Sequence, residues 1–146
     1  MTQQITKSII IKGDPAKLYD VWADFENFPH FMTTVKAVSK TGNKTSHWVV
    51  DGPAGMKVDW NAEMTRLEPH KRIAWNSKDN KGMLTTSGQV TFNELPDNET
   101  EVTVMLQLTP PAGKIGKVVT ALLVNPEQKL IEDLRNFKRY VEKMTI

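Results

Sequence analysis

Segments that alternate between apolar and polar residues fill the middle of the chain, and one long amphipathic segment closes it. Residues 57–67 and 100–109 show the alternation most clearly, with Trp60 and Val104 among the apolar positions. A period of two is typical of a sheet that buries one face and exposes the other. The closing amphipathic segment also needs an apolar partner, and this sheet offers the only large one. The chain is therefore predicted to be a sheet that holds its C-terminal helix against one face.

Seven strands are predicted from this alternation and from the turns between the segments. We place them at residues 3–12, 35–42, 45–51, 57–67, 72–78, 84–94 and 100–109. Short turns, such as the one at Gly42-Asn43-Lys44, join neighbouring strands and so indicate antiparallel pairing.

Helices are predicted in two places. After the first strand, Asp14 and Pro15 are a favourable N-cap and first helical residue. Residues 24–32, broken by Pro29, are predicted to form a bent second helix that turns its phenylalanines inward. The C-terminal helix is predicted from residue 126 to about residue 143, after an N-cap at Asn125. Its apolar stripe consists of Leu130, Ile131, Leu134, Phe137, Tyr140, Val141 and Met144.

Composition limits the function classes. The 146 residues suit a single domain over residues 1–146, and a net charge of +2 gives no sign of nucleic-acid binding. The chain has no cysteine, so disulfides and thiolate metal sites are excluded. Because His30, His47 and His70 lie in separate segments, neither a metal nor a cofactor is expected. No signal peptide and no apolar stretch of about 20 residues is found, so a cytoplasmic protein is expected.

Several short motifs carry a resemblance to a known superfamily. They lie at residues 24–32 (DFENFPHFM), 46–55 (SHWVVDGPAG), 58–63 (VDWNAE), 73–77 (IAWNS), 110–113 (PPAG) and 133–138 (DLRNFK). With these motifs the chain resembles the START-like, helix-grip (SRPBCC) superfamily, and most of all its bacterial polyketide cyclase/dehydrase and coenzyme Q-binding branch. The resemblance implies an α+β helix-grip fold. In this fold a curved antiparallel sheet of about seven strands surrounds a long C-terminal helix, with two short helices after the first strand.

The resemblance also implies a set of functions, because the superfamily includes lipid carriers, quinone binders, polyketide cyclases and partner-binding proteins. We expect binding or carriage of a small hydrophobic ligand, such as a lipid, an isoprenoid quinone or an aromatic polyketide-like compound. The first alternative is an enzyme of the cyclase/dehydrase type. The second is a protein-interaction module whose cavity is filled by its own side chains. Transient membrane contact and a monomer or weak dimer are also expected.

The ligand-binding candidates lie on the apolar parity of the predicted strands and on the apolar side of the C-terminal segments. They are Trp48, Val50, Trp60, Met64, Trp75, Ser77, Phe92, Leu106, Leu122, Leu134, Phe137 and Tyr140. Binding pockets are mainly apolar and contain a few placed polar groups. The tryptophans would form the walls, and Ser77 or Tyr140 would contact a polar group of the ligand.

The sequence assigns no catalytic residue. If Trp48 and Trp60 face inward, then His47, Asp59 and Glu63 face solvent. The few polar residues expected to face inward are Ser77, Thr86, Arg66, Tyr19 and Tyr140. These groups suit the orientation of a ligand better than acid–base catalysis, whereas an enzyme would need an inward titratable group with a perturbed pKa.

Residues 114–124 are apolar on more than one helical face. One interpretation is a helical lead-in to the C-terminal helix. The other is a lid that touches a membrane or partner as the ligand enters, with Lys114 and Lys117 meeting anionic headgroups.

Overall fold

One antiparallel sheet of seven strands, in the spatial order β1-β7-β6-β5-β4-β3-β2, forms the body of the protein. The computed structural model describes residues 3–32, 35–51, 57–78, 85–109 and 126–144. The strands are β1 (Gln3–Lys12), β2 (Val35–Lys40), β3 (Thr45–Asp51), β4 (Lys57–Glu68), β5 (Arg72–Lys78), β6 (Thr85–Leu95) and β7 (Glu99–Thr109). The helices are α1 (Pro15–Ala23), a 3-10 helix (Phe25–His30) and α2 (Pro126–Met144). The sheet is curved, as predicted. The predicted order of elements and the seven predicted strands are also confirmed.

The concave side of the sheet, called here the inner face, buries one residue in two along the strands. Strand register aligns these residues in rows that cross the sheet. One row consists of Met64, Trp75, Gly88, Leu106 and Ile5. A neighbouring row consists of Leu67, Ile73, Val90, Val104 and Lys7. The period of two seen in the sequence therefore places the core on this face.

Helix α1 begins as its sequence predicts. Asp14 has an extended backbone, and its side chain accepts a hydrogen bond from the backbone N–H of Lys17 at 2.9 Å. Pro15 takes the first helical position, where a missing N–H costs nothing. Leu18 and Trp22 then point into the core and are almost fully buried.

Removing this cap gives a modest, measurable loss. We expect Asp14→Ala to lower the free energy of unfolding by about 1 kcal/mol, because one N–H at the start of α1 loses its partner. Urea denaturation followed by circular dichroism measures the loss. Asp14→Asn, which keeps an oxygen acceptor at the cap, is the control and should stay within about 0.5 kcal/mol of the native chain.

Helix α2 runs along β1 and covers the free edge of that strand. The Lys138 ammonium donates to the carbonyl oxygen of Ile10 at 3.3 Å, and the backbone N–H of Lys12 donates to a Glu142 carboxylate oxygen at 3.3 Å. Nearer the other end of the helix, Lys7 Nζ lies 3.3 Å from Glu127 Oε2. The first two contacts satisfy backbone groups at an edge that could otherwise pair with another strand.

A β-bulge at Thr65 corrects one prediction. Met64 pairs with Trp75, but the next pair is Arg66 with Ala74, so the bulge adds a residue to β4. Parity changes there, and Leu67 instead of Arg66 lies on the inner face, opposite Ile73. Arg66 was predicted inward and this was wrong: its side chain is 58% exposed, 3.9 Å from Glu68.

Two other helical predictions concern residues 24–32 and residues 114–125. The bent second helix predicted at residues 24–32 is a short 3-10 helix capped by Asp24, and it contains Pro29 as expected. Residues 114–124, including the lid hypothesis, and the predicted N-cap Asn125 lie outside the described residues. Among the helices that the structure describes, none has the length and apolar character needed to cross a membrane.

Candidate functional site

An aromatic cluster fills the inner face where α1, the 3-10 helix and α2 meet the sheet. Its members are Trp22, Phe25, Phe28, Phe31, Trp48, Trp75 and Phe137. The rings lie edge-to-face or tilted, with centroids 4.8 Å apart for Phe25 and Phe28 and 5.0 Å apart for Trp22 and Phe137. Such arrangements stabilise a core beyond the area that they bury. This part of the inner face is therefore solid core.

Two predicted wall residues belong to this cluster. The Trp48 ring lies 5.0 Å from Phe28, and the Trp75 ring lies 5.9 Å from Phe25, both edge-to-face. Both tryptophans are buried. The bent segment that follows α1 thus packs against both rings, and their role as walls of a ligand site stays a prediction.

Several inner-face residues keep part of their surface accessible, and four of them form what we call the candidate site: Trp60, Met64, Ser77 and Leu106. Trp60 stacks beside Trp48 with its ring nearly parallel, at 6.0 Å between centroids. The apolar members pack against the core while they still present area to a ligand. The candidate site is therefore a mainly apolar surface next to the buried aromatic cluster.

A row of hydroxyl groups crosses the candidate site. Register places Ser46 opposite Ala62 and Ala62 opposite Ser77, and Thr86 follows on β6. Ser46 accepts a hydrogen bond from Trp48 Nε1 at 2.9 Å, and Ser77 Oγ accepts one from the Thr86 backbone N–H at 3.0 Å. Ser77 and Thr86 were predicted to face inward, and this placement is confirmed. Ser46 was missed, although it lies two residues from Trp48 and so shares its parity.

One charged side chain lies in the middle of the described inner face. Lys7 stands directly opposite Val104, between Ile5 and Ile9 of its own strand. Lys40 and Glu94 share the inner parity but are exposed at strand ends. Sequence reasoning missed Lys7, even though its two isoleucine neighbours mark its parity.

The rings of both tyrosines pack against other aromatic side chains. Tyr19 packs edge-to-face on His70 and Phe92, with centroids 5.8 and 5.9 Å away. Burial, with a smaller effect from the Asp20 carboxylate, raises the pKa of Tyr19 above its usual value, so the phenol stays protonated at neutral pH. The Tyr140 ring stacks on His30 at 5.6 Å.

His47 and Asp59, which could act in acid–base chemistry, lie on the outer face, as predicted. His47 Nε2 is 3.3 Å from Asp59 Oδ2, and His47 Nδ1 is 2.8 Å from Asn61 Oδ1. Both contacts sit on partly exposed side chains away from the candidate site. Within the described ranges, no three His, Asp or Glu side chains come close enough to hold a metal ion.

The remaining predicted ligand contacts divide into core residues and residues of which less is described. Phe92, Leu134 and Phe137 are buried in the core. Only the backbone of Val50 is described, paired with Val35 and Val58, and Leu122 lies outside the described residues. A role in ligand binding stays a prediction for all of the candidates.

Known proteins resemble this chain in sequence and in fold. Residues 11–135 match the family described as polyketide cyclase/dehydrase and lipid transport. A solved protein of Deinococcus radiodurans is 33% identical over 99% of both chains, with a TM-score of 0.78. The Zhui aromatase/cyclase of a Streptomyces species has a TM-score of 0.82 at 15% identity, over 100% of this chain and 97% of its own. A START superfamily protein of Mycobacterium smegmatis has a TM-score of 0.75 at 14% identity, over 97% and 98% of the two chains. These likenesses confirm the predicted helix-grip architecture.

Proposed function

The chain belongs to the polyketide cyclase/dehydrase and lipid transport family, and we propose that it binds and carries a small hydrophobic molecule between the sheet and α2. The observation that carries this proposal is the half-buried apolar surface of Trp60, Met64 and Leu106 on the inner face. Ser77 belongs to the same site, and its hydroxyl would orient one polar group of the ligand. The ligand classes that we propose are lipids, isoprenoid quinones and aromatic polyketide-like compounds.

Apolar burial would be the main driving force for such binding. At roughly 25 cal/mol per Å², burying about 300 Å² of apolar ligand surface contributes about 7 kcal/mol before the entropy cost of association. An indole ring offers a flat apolar face at little conformational cost, which suits a planar or chain-like ligand on Trp60.

Carriage fits the described inner face better than catalysis. A cyclase or dehydrase needs a general acid or base within hydrogen-bond reach of the reacting atoms. In the middle of the described inner face the only ionisable group is Lys7, and it is paired with Glu127. The likeness to an aromatase/cyclase, at 15% identity, supports the fold alone. Cytoplasmic location, transient membrane contact and the monomer or weak dimer stay predictions.

The first test is native mass spectrometry of the freshly purified protein, with organic extraction of what is released on denaturation. We expect a co-purifying hydrophobic molecule, or uptake of one from a panel of a fatty acid, a phospholipid and a ubiquinone analogue. A clean mass with no uptake of any member of the panel would contradict the proposal and would favour the filled interaction module.

Truncating Trp60 tests the candidate site directly. We expect Trp60→Ala to weaken binding of the best member of the panel about tenfold, because the ligand loses a flat aromatic contact. Native mass spectrometry titration gives the Kd, and circular dichroism verifies the fold. Ile10→Ala, which removes an exposed apolar side chain from the outer face, is the control and should leave the Kd unchanged. An unchanged Kd in folded Trp60→Ala would place the ligand elsewhere.

A further inference from the structure

Lys7 has unusual surroundings for a lysine. Its strand neighbours on the same face are Ile5 and Ile9, and Val104 lies directly across on β7. Ile5 and Val104 are buried, yet the Lys7 side chain keeps 33% of its surface exposed. A cation among aliphatic side chains needs an anionic partner or water at its head. A third of the side chain stays accessible, so a group other than Glu127 can contact it.

Glu127, the ion-pair partner of Lys7, is largely exposed to solvent. Glu127 belongs to the first turn of α2, and its side chain is 65% exposed, so its carboxylate can move into solvent at little cost. Ion pairs with this exposure contribute little to stability, since water competes for both charges. Another carboxylate or phosphate could therefore replace Glu127 at Lys7 without disrupting the core.

Lys7 also adjoins the apolar candidate site. Val104, its partner across the strands, lies two residues from Leu106, which faces the same side of the sheet. Diagonal neighbours of this kind are about 7–8 Å apart, within reach of a long side chain. From Leu106, the aligned row continues over Gly88 to Trp75 and Met64. One cation thus stands at the β1 end of a continuous apolar row.

From this arrangement we propose that the ligand is an amphiphile with an anionic headgroup, and that its headgroup pairs with Lys7 in place of Glu127. The inference rests on the proposed function and narrows its ligand class. The apolar body lies over Leu106, the half-buried residue of the row nearest to Lys7. A carboxylate and a phosphate monoester both carry the required charge. A neutral quinone, which can only accept a hydrogen bond from the ammonium, gains less from this cation.

The test compares ligands that differ only in the headgroup. Oleic acid, oleyl alcohol and oleoyl lysophosphatidic acid are titrated below their critical micelle concentrations at pH 8 into the full chain, by native mass spectrometry. We expect the native chain to bind an anionic member about tenfold more tightly than oleyl alcohol, since a charge-assisted hydrogen bond outweighs a neutral one. The preference between oleic acid and the lysophosphatidic acid tells a carboxylate from a phosphate.

Three variants locate the preference. Lys7→Gln should remove it and bring all affinities within about twofold of oleyl alcohol. Glu127→Gln should tighten binding of the anionic ligand about threefold, because a competitor for Lys7 is gone, and should leave oleyl alcohol unaffected. Lys12→Gln, on the outward side of the same strand, is the matched control and should keep the preference.

The outcomes separate this inference from the function on which it rests. If acid and alcohol bind the native chain equally, or if Lys7→Gln keeps the preference, the role of Lys7 is wrong while hydrophobic binding stands. If none of the three compounds and no quinone binds, both proposals are wrong. Circular dichroism of Lys7→Gln and its unchanged affinity for oleyl alcohol verify that the variant is folded.

Discussion

Replacing Phe137 with alanine is expected to lower the free energy of unfolding by about 3–5 kcal/mol, the usual cost of deleting a buried aromatic ring. The Phe137 side chain is 0% exposed. Its ring lies 5.0 Å from both Trp22 and Phe31, so it joins α2 to α1 and to the segment after the 3-10 helix. Its loss would leave a cavity between three elements that close one part of the inner face.

Urea denaturation followed by far-ultraviolet circular dichroism measures this effect, since tryptophan fluorescence would itself change beside Trp22. Phe137→Leu is the graded control: it keeps an apolar side chain of intermediate volume and should cost only about 1–2 kcal/mol. A loss below about 1 kcal/mol for Phe137→Ala would contradict the cluster, because it would mean that α2 does not pack into the aromatic rings.

The aromatic cluster shows how far sequence patterns can predict the core. Phe137 lies on the predicted apolar stripe of α2, and the phenylalanines of residues 24–32 were predicted to turn inward. All of them are buried. Period and capping are local properties, so they predict which side of a helix or strand is buried. They do not predict which buried rings meet, such as the contacts of Trp48 with Phe28 and of Trp75 with Phe25.

The bulge in β4 had a signal that went unused. Met64 and Leu67 are apolar, and two polar residues, Thr65 and Arg66, separate them where strict alternation allows one. A bulge inserts one such extra residue and reverses the parity that follows. Counting every second residue through residue 67 therefore placed Arg66 on the wrong face.

The polar residues of the inner face had a similar signal. Lys7 shares its parity with Ile5 and Ile9, and Ser46 shares its parity with Trp48, so parity alone places both inward. Their partners could not be predicted in this way. The Lys7–Glu127 contact joins residues 120 positions apart by their numbering, and it depends on how α2 lies on β1. Long-range placement of this kind comes from packing and has no local pattern.

Gly88→Ala is expected to lower the free energy of unfolding by about 2–3 kcal/mol through overpacking. A Cβ at this position would lie 2.7 Å from Trp75 Cζ2, 2.8 Å from the Met105 carbonyl oxygen and 2.9 Å from Leu106 Cδ2. The Met105 oxygen belongs to the neighbouring strand and cannot move without disturbing the pairing of β6 with β7. The cost is therefore steric, and it outweighs the small gain in stability that alanine usually brings to a strand.

Gly42→Ala is the matched control for this substitution. Its added Cβ would also meet an atom at 2.7 Å, but that atom is the Thr45 hydroxyl oxygen in an exposed turn. The hydroxyl can rotate away, at the cost of its 2.8 Å hydrogen bond with Thr41 Oγ1. We expect a loss of about 1 kcal/mol or less in the same denaturation experiment. Equal losses in the two variants would contradict close packing over Gly88.

Gly88→Ala also links the core to ligand binding. Trp75 and Leu106 pack over the glycine from either side. A methyl group there therefore displaces Leu106 from its position in the apolar row beside Lys7. Under conditions where the variant remains folded, we expect its affinity for the best hydrophobic probe to fall several-fold, whereas Gly42→Ala binds like the native chain. A destabilised Gly88→Ala with unchanged affinity would separate the row that packs the sheet from the surface that holds the ligand. The binding surface would then be limited to Trp60 and its neighbours on β3 and β4.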